Sequence, residues 1–292
     1  MTKTDRADKR VLVGPPVAGV LHEARQLHVA IATRNDLHIT PTLYSLADGR
    51  IWFFAAATTL KARVIATGDR GGALVRTGDR YVSMAGRLER VDLLAPVQLA
   101  RAASSVPAVP AAVAGFLLRN AVDLVGFAAD TVAGRTGRPI LSRRVLFALV
   151  PDRVAFLEAD GLTEARGPWP GRLGRRRRSR GQPPGSDGIA SPAVVAWSGP
   201  DGPLALPARW QPENLEAQVP AAFLELSGAD RRGPAAVVVD DYGRPGPSGK
   251  QGSLLRGVGE FGGVTGGWRS LHLDPERMTT WAGVDTSTQG WS

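Results

Sequence analysis

Apolar and polar residues alternate over the first part of the chain in a pattern that predicts strands. Residues 28–33 and 37–44 each alternate, and a short polar turn lies between them, so we expect a hairpin. A turn at Asp48 and Gly49 then leads into an aromatic and β-branched run at residues 50–55, which is typical of a strand buried on both faces. The chain therefore begins with three predicted strands.

The period becomes helical over residues 58–66, where Thr58 or Thr59 is the expected N-cap. Residues 73–76 and 81–90 return to strand patterns and predict a second hairpin. Five strands and one helix are thus predicted before the pattern changes again.

An alanine-, valine- and leucine-rich segment, residues 94–132, interrupts the strand pattern. We expect two or three helices there, broken near Pro107, Pro110 and Gly126. The most apolar stretch, residues 106–118, is too short to span a bilayer, so we expect no membrane partner.

Strand patterns resume at residues 145–150 and 153–157, joined by Pro151 and Asp152. Beyond residue 188 the same order of elements returns in a weaker form, which indicates an internal repeat. The matches pair residues 193–197 and 203–207 with the opening hairpin, Pro207 with Pro41, residues 235–239 and 253–260 with the second hairpin, Gly257 with Gly86, and residues 273–278 with residues 149–154.

The composition fits a chain with two ordinary globular cores. It has 292 residues, of which 43% are hydrophobic and 22% are charged. The absence of cysteine excludes disulfides, thiolate nucleophiles, iron–sulfur clusters and cysteine-ligated zinc. We therefore expect no metal site.

The formal net charge is +9, and much of it is local. Residues 172–180 contain six arginines and no acid, between segments rich in glycine and proline. We interpret this run as part of a solvated linker, with contact to an anion or a nucleic acid as the alternative. The first ten residues are charged and polar without an apolar core, so we expect no secretory signal and a cytoplasmic protein.

Residues 24–160 resemble the flavin-binding split-barrel family, which includes pyridoxamine 5′-phosphate oxidase-like proteins and the flavin- or deazaflavin-dependent oxidoreductases. Four segments carry the resemblance by their order and spacing: D-L-H-I-T-P-T-L-Y, R-I-W-F-F-A after the Asp48-Gly49 turn, T-T-L-K-A-R, and D-R-Y-V-S-M-A-G-R-L-E. The resemblance covers about half of the chain, and the second half resembles a degenerate copy.

The fold that the resemblance implies is mainly β, of the α+β class. It consists of two tandem split β-barrels that form a pseudo-dimer within one chain, with a helical insert in the first. Residues 1–165 would form the first barrel with its insert at about 94–132, residues 166–188 the linker, and residues 189–292 the degenerate second barrel. Because split barrels of this family pair as homodimers, we expect a monomer that contains its own pseudo-dimer, or a homodimer.

The Thr58-Thr59-Leu60-Lys61 segment is the main candidate for a cofactor site. A helix start offers free N–H groups, hydroxyls can donate to phosphate oxygens, and Lys61 adds a charge. An ordinary capped helix with a solvated lysine is the alternative. The resemblance implies that Thr58, Thr59, Lys61 and Arg63 hold the cofactor phosphate, and that Thr40, Pro41 and Thr42 run past the isoalloxazine ring. Trp52 and Phe54 are expected in the core rather than at the ring.

The second copy offers no equivalent phosphate site, because residues 219–222 (Val-Pro-Ala-Ala) carry neither hydroxyl nor charge. We therefore expect one competent pocket in the chain. It would be lined by the first copy and by second-copy residues such as Arg209, Trp210, Lys250 or Arg256.

The resemblance implies an oxidoreductase that binds FMN or the deazaflavin F420 and transfers hydride to or from an unknown small substrate. The alternative is a non-catalytic flavin- or haem-binding carrier or sensor. We rank haem below the flavins, because a lone histidine (His22, His28, His38 or His272) would have to be its axial ligand. Catalytic residues are unassigned, although Tyr44 or His38 could donate a proton. Nucleic-acid association through the arginine run is a third hypothesis, and we rank it lowest.

Overall fold

A computed structural model describes residues 14–34, 36–92, 108–135, 144–158, 161–171, 191–242, 245–283 and 285–291. The predicted arginine-rich run at residues 172–180 and the charged N-terminal segment lie outside the described residues. A short helix, α1 (Pro15–Glu23), precedes the first sheet.

The first half of the chain forms a sheet that curls into a half-barrel. Its strands are β1 (Leu27–Ala32), β2 (Leu37–Thr42), β3 (Tyr44–Ala47), β4 (Arg50–Ala56), β5 (Arg70–Thr77), β6 (Arg80–Asp92), β7 (Arg144–Glu158) and β8 (Gly161–Arg166). They are ordered β2-β1-β5-β6-β7-β4-β3, and β8 pairs with β7. Helix α2 (Leu60–Val64) follows β4, while α3 (Ala108–Arg119) and α4 (Ala121–Val132) form the insert before β7.

The second half forms a sheet of seven strands, and the first six in the order given below close into a barrel. Its strands are β9 (Ser191–Gly199), β10 (Gly202–Gln211), β11 (Glu216–Pro220), β12 (Arg232–Tyr242), β13 (Lys250–Thr265), β14 (Trp268–Ala282) and β15 (Asp285–Gly290), with helix α5 (Ala221–Ser227) after β11. The order is β11-β10-β9-β12-β13-β14-β15, and an additional pairing of β11 with β14 closes the ring. The two tandem barrels predicted from the sequence are therefore confirmed, as is the mainly β class.

The repeat holds at the level of single backbone positions. In both barrels the register shifts at a glycine: between Ala85 and Gly86 against β7, and between Arg256 and Gly257 against β14. A Cβ atom at Gly86 would lie 2.0 Å from the carbonyl oxygen of Val150, and one at Gly257 would lie 2.0 Å from that of Asp274. Both bulges thus require glycine because the neighbouring backbone occupies the side-chain space.

Two strand predictions are wrong in detail. The predicted strand at residues 37–44 is broken at Leu43, and β2 pairs with β1 whereas β3 pairs with β4. The two strands predicted around Pro151 and Asp152 are one strand, β7, because the bulge opposite Gly86 accommodates the proline without losing the ladder.

The helical insert also differs from expectation. Pro110 lies in the first turn of α3, where its missing N–H costs nothing. Gly126 lies inside α4, where a Cβ atom would come within 2.8 Å of the backbone of Pro245, so the glycine allows close packing on the second domain. The break falls at Asn120, and the break predicted near Pro107 lies outside the described residues.

No single helix among the described residues is long and apolar enough to cross a membrane. Together, α3 and α4 reach that length and apolarity, but they are bent by 69°.

The two barrels share an apolar interface. Leu37, Ile39 and Leu74 of the first barrel are fully buried in one cluster with Val194 and Val238 of the second. Polar contacts frame this cluster: Ser83 Oγ donates to the carbonyl of Ala205 over 2.6 Å, Arg153 Nη1 lies 2.9 Å from Asp201 Oδ2, and His28 Nε2 lies 3.0 Å from Asp240 Oδ1. The pseudo-dimer is therefore a packed unit rather than two linked domains.

Candidate functional site

Helix α2 begins as the sequence predicts, with Thr59 as its N-cap. The Thr59 hydroxyl accepts from the backbone N–H of Ala62 over 3.4 Å and donates to the carbonyl of Ala56 over 2.8 Å. This hydroxyl stabilises the helix start. Both of its hydrogen bonds are local, so the structure shows Thr59 as a helix cap, and the phosphate contact that the resemblance implies stays a prediction.

Lys61 is the unusual residue of this helix, because its side chain turns inward. It is only 7% exposed, and burial lowers the pKa of its amine to about 8. No described carboxylate lies within ion-pair distance of it, and burial is the single cause of the shift. A buried cation without a counter-ion is costly unless a ligand supplies the negative charge.

Strand β2 presents a row of polar side chains on one face. Since successive strand residues point to opposite faces, His38, Thr40 and Thr42 share one face, while Leu37 and Ile39 point into the interface between the barrels. His38 Nδ1 and Thr40 Oγ1 are both buried and have no hydrogen-bond partner. Such orphaned atoms are rare in proteins and mark a place where a partner is missing.

The second barrel contributes a cation to the same place. Arg256 on β13 has a side chain that is 13% exposed, and its Nε is buried without a partner. Its other contacts are long: 3.8 Å from Nη1 to Asp36 Oδ2, and 3.5 Å from Nη2 to Thr279 Oγ1. Asp36 is itself partly buried, which raises the pKa of its carboxyl.

The charges of Lys61 and Arg256 both act on His38. Burial, and then these two charges, lower the pKa of its imidazole to about 3. His38 is therefore neutral at ordinary pH. We call His38, Thr40, Lys61 and Arg256 the seam cluster. It is a positively charged group of buried polar side chains drawn from both barrels.

The remaining predicted site residues lie elsewhere. Thr58 and Arg63 are exposed on the outside of α2, and Pro41 points to the opposite face of β2 from Thr40. Thr42 Oγ1 makes a 3.4 Å hydrogen bond to the carbonyl of Phe54. Of the seven residues predicted to contact a cofactor, the structure brings Thr40 and Lys61 into the seam cluster and leaves Thr42 at its margin.

The corresponding helix of the second barrel lacks these features. Pro220 occupies the N-cap of α5 and makes no side-chain cap, and Phe223 in the first turn is fully buried against Trp169 at a ring distance of 5.5 Å. The residue two positions after the N-cap, which corresponds to Lys61, is Ala222, so the second copy carries no charge there.

The four second-copy residues named from the sequence divide into two pairs. Arg209 lies over the ring of Trp268 at 5.5 Å and is close enough to Tyr81 of the first barrel to act on its pKa. Trp210 is part of a core cluster that also contains Leu157 of the first barrel, and neither residue belongs to the seam cluster. Arg256 belongs to the seam cluster. Lys250 is close to Asp240 and to Asp123 of the insert, and burial lowers its pKa.

Tyr44, Trp52 and Phe54 are structural. Tyr44 is fully buried, its hydroxyl donates to the carbonyl of Leu21 over 2.7 Å, and burial raises its pKa to about 12. Trp52 is fully buried beneath α3, and Phe54 packs edge-on against Phe116 at 4.6 Å. The tyrosine therefore cannot serve as an accessible proton donor, whereas His38 remains a candidate.

One buried pair was missed by sequence reasoning. Asp240 is a strand residue of β12 and lies against His28, and each of these side chains is 5% exposed. No local pattern could have joined residues 212 positions apart. A cavity of about 440 Å³ lies nearby, lined in part by Arg135, Lys250 and Asp285. Its lining includes none of the seam-cluster residues, and we favour the seam cluster as the site because there two cations, one from each barrel, act on one imidazole.

No family model matches the chain, and neither does any curated protein. Solved structures do match, each over about half of the chain. A pyridoxamine 5′-phosphate oxidase-related, FMN-binding protein from Nostoc punctiforme is 20% identical over 51% of this chain and 86% of its own, with a TM-score of 0.35. An FAD-binding protein from Mesorhizobium loti is 18% identical over 48% and 89%, at 0.32. A heme-binding protein from Mycobacterium smegmatis is 13% identical over 57% and 59%, at 0.34.

The strand order of the two sheets decides the fold. This chain is a tandem split barrel. The recognition made from the sequence is confirmed for the fold, and the tandem split barrel has its candidate site where the two barrels meet.

The donor set of the seam cluster fits an anionic organic group better than a metal ion. Lys61 and Arg256 are cations that cannot ligate a metal while protonated, and His38 is the single imidazole among them. Among the described residues, no group of three or more histidine, aspartate or glutamate side chains could hold a metal ion. Two cations, a hydroxyl and a neutral imidazole suit a phosphate and the polar edge of a ring.

Proposed function

We propose that the protein binds one phosphate-bearing flavin or deazaflavin, FMN or F420, at the seam cluster and uses it in an oxidoreductase reaction. The observation that carries the proposal is Lys61, which is 7% exposed and has no counter-ion among the described residues. Burial disfavours the charged amine, and an anion placed beside it would restore the usual pKa. The site is therefore expected to be stable in its charged form when a phosphate is bound.

The position of Arg256 argues for a site formed jointly by the two barrels. Its guanidinium comes from β13, whereas Lys61 comes from α2, and both charges act on His38. One phosphate between them would receive charge-assisted hydrogen bonds from both halves of the chain. Binding would then depend on the packing of the two barrels as well as on either barrel alone.

The other members of the seam cluster would orient the ring. The Thr40 hydroxyl can donate one hydrogen bond and accept another, and the neutral His38 imidazole can do the same through its two nitrogens. These groups would hold polar ring atoms away from water, because His38 Nδ1 and Thr40 Oγ1 are already buried. The bound cofactor would supply the hydride-transfer chemistry towards a small-molecule substrate.

The test is an absorption titration of the purified protein with FMN, F420 and haem in separate experiments. We expect one flavin-type cofactor to bind, with a perturbed band, and Lys61→Met to weaken binding about 100-fold, as loss of a buried charge partner costs roughly 3 kcal/mol. Arg63→Met is the matched control, because Arg63 is on the same helix but exposed. Equal binding by the wild type and Lys61→Met would contradict the proposal.

A non-catalytic haem carrier or sensor is the second candidate, and one observation favours it. His38 is buried and neutral with a free Nδ1, as an axial ligand must be, whereas His22 and His272 are exposed and His28 lies against Asp240. A haem band lost in His38→Ala would support this reading. Reduction of the bound cofactor by candidate substrates then separates an enzyme from a carrier. A cytoplasmic location remains a prediction.

A further inference from the structure

The helix pair α3 and α4 presents its apolar side to solvent. Leu117, Leu118, Val122, Val125 and Val132 are all exposed, from 54% at Leu117 to 90% at Val132. We call these five side chains the outer apolar face. An ordinary surface helix buries its apolar residues and exposes its charges. Here the one side chain of α4 that is buried is an aspartate, Asp130.

The polar residues of the helix pair are used for attachment to the rest of the protein. Arg119 donates to the carbonyls of Leu21 and Ala24 and lies 4.4 Å from the ring centre of Tyr44. The Asn120 side-chain amide donates to the carbonyl of Tyr44 over 3.1 Å.

The second helix is fixed in the same way. Asp130 Oδ2 accepts from the backbone N–H of Ser248 over 2.9 Å, which ties α4 to the second domain. Asp123 lies close enough to Lys250 to act on its pKa. Because the charged groups turn inward, the outer apolar face carries no charge, and none of the residues that the structure describes covers it.

Cations border the outer apolar face. Arg25 is exposed. It follows Ala24, whose carbonyl accepts a hydrogen bond from Arg119 at the end of α3. The nearby acid, Glu23, is ion-paired with Arg80. At the other end, the Arg135 side chain just beyond α4 is 59% exposed, and its Nη1 lies 3.6 Å from Asp130 Oδ1.

An uncharged apolar centre with a cationic border matches the surface of an anionic bilayer. Apolar side chains enter the region between headgroups and acyl chains, while nearby Lys and Arg side chains are attracted to anionic lipid. The pair also has the length and apolarity of a membrane segment but is bent by 69°. A bent pair of this kind suits shallow insertion into one leaflet rather than a crossing.

We propose that the outer apolar face docks this protein on the surface of a membrane that contains anionic phospholipid. The proposal replaces the expectation of no membrane partner, which rested on the length of residues 106–118 and therefore addressed spanning alone. A second copy of the chain is a poorer cover, since pairing two such faces would bring their cationic borders together.

The test is cosedimentation of the full chain with vesicles of phosphatidylcholine alone or mixed with phosphatidylglycerol. We expect binding to the mixed vesicles, weakened by salt, and at least tenfold weaker binding for a Leu118→Glu/Val125→Glu variant. Val264→Glu is the control, because Val264 is 50% exposed on β13 of the second domain. Absence of binding to mixed vesicles, or equal binding by the double variant, would overturn the proposal.

A second measurement does not depend on a loss of binding. Because the chain has no cysteine, Val125→Cys creates a single thiol that can carry a polarity-sensitive fluorophore. Mixed vesicles should shift its emission to the blue, and the same label at Val264→Cys should not respond. A dimer in solution that the double variant abolishes, with no response to vesicles, would show that a second copy covers the face and would overturn the proposal.

Discussion

The two barrels share a backbone plan but differ at the helix that follows the fourth strand of the first barrel and β11 of the second. In the first barrel Thr59 caps this helix and Lys61 is buried behind it; in the second, Pro220 stands at the N-cap and Phe223 fills the interior. The aromatic residue gives the second barrel an apolar core, whereas the lysine gives the first a buried charge. Both copies of the repeat therefore keep the fold, whereas the candidate cofactor-binding lysine is present in the first copy.

The two barrels also differ in the regularity of the strands that follow β9 and β1. Strand β10 runs unbroken from its pairing with β9 to its pairing with β11, whereas the equivalent path in the first barrel is interrupted at Leu43. The break follows Thr42 and lies three residues after Thr40, so the less regular barrel is also the one that carries Thr40 of the seam cluster.

The largest expected effect tests what the barrels have in common. Gly86→Ala and Gly257→Ala should each destabilise the protein by about 4 kcal/mol or more, because each Cβ would collide with a carbonyl oxygen at 2.0 Å. Denaturant unfolding measures the loss. Gly263→Ala is the control, since a Cβ atom there would have no neighbour within 4 Å. A large loss of unfolding free energy in one of the two variants alone would show that the two bulges are not structurally equivalent.

The next effect sharpens the contrast between the buried Lys61 of the first barrel and the uncharged helix start of the second. Burial lowers the pKa of Lys61 from 10.5 to about 8, so folding at neutral pH carries a penalty of about 3 kcal/mol without ligand. Below pH 8 the penalty is fully present, and it is relieved as the pH rises from about 8 to about 10.5. The free energy of unfolding should therefore increase over that window in the wild type.

Lys61→Met should remove this pH dependence and raise the stability of the cofactor-free protein at pH 7. Thermal unfolding across the pH range measures both effects. A variant that is less stable than the wild type at pH 7, with the same pH profile, would mean that the amine is paired and not a ligand site.

Arg256→Met tests whether the second barrel takes part in binding. We expect about tenfold weaker cofactor binding, because Arg256 already has a carboxylate neighbour in Asp36 at 3.8 Å and depends less on the phosphate than Lys61 does. The pKa of His38 should also rise, since Arg256 is one of the charges that lower it. Histidine titration by NMR and a binding isotherm measure these changes. Arg209→Met, within the second barrel, should change neither.

The smallest expected effect concerns the cap. Thr59→Ala should cost about 1 kcal/mol of stability through loss of the N-cap hydrogen bond, and it should weaken cofactor binding less than Lys61→Met does. Unfolding and binding measurements on both variants check this order. If Thr59→Ala abolished binding while stability was unchanged, the hydroxyl would hold the cofactor directly, as the resemblance implies.

The strands and the repeat could be predicted because they depend on local patterns. Alternation of apolar residues, turn residues and the spacing of glycines located the hairpins and matched Gly86 to Gly257. The bulge at Asp152 and the break at Leu43 could not be predicted, since they arise from pairing with distant strands. The helix breaks predicted near Pro110 and Gly126 are wrong. Pro110 lies in the first turn of α3, where proline is tolerated, and Gly126 makes a tertiary contact with Pro245 that no local pattern shows.

The candidate site was predicted in part. The helix start at Thr59 and the presence of Lys61 were visible in the sequence, but the direction of the lysine was not, because a solvated and a buried lysine share one pattern. The action of both Lys61 and Arg256 on His38 depends on the packing of two barrels. Sequence reasoning named Arg256 as one of four second-copy residues, and the fold separates it from Arg209 and Trp210.

The most direct test of the central claim is a calorimetric count of cofactor sites per chain. With the flavin or deazaflavin that gives the absorption change, we expect one site per chain in the wild type, no measurable site in Lys61→Met, and one intact site in Arg209→Met. Two sites per chain, or one site that survives Lys61→Met, would contradict the account that a single barrel kept its chemistry at the seam.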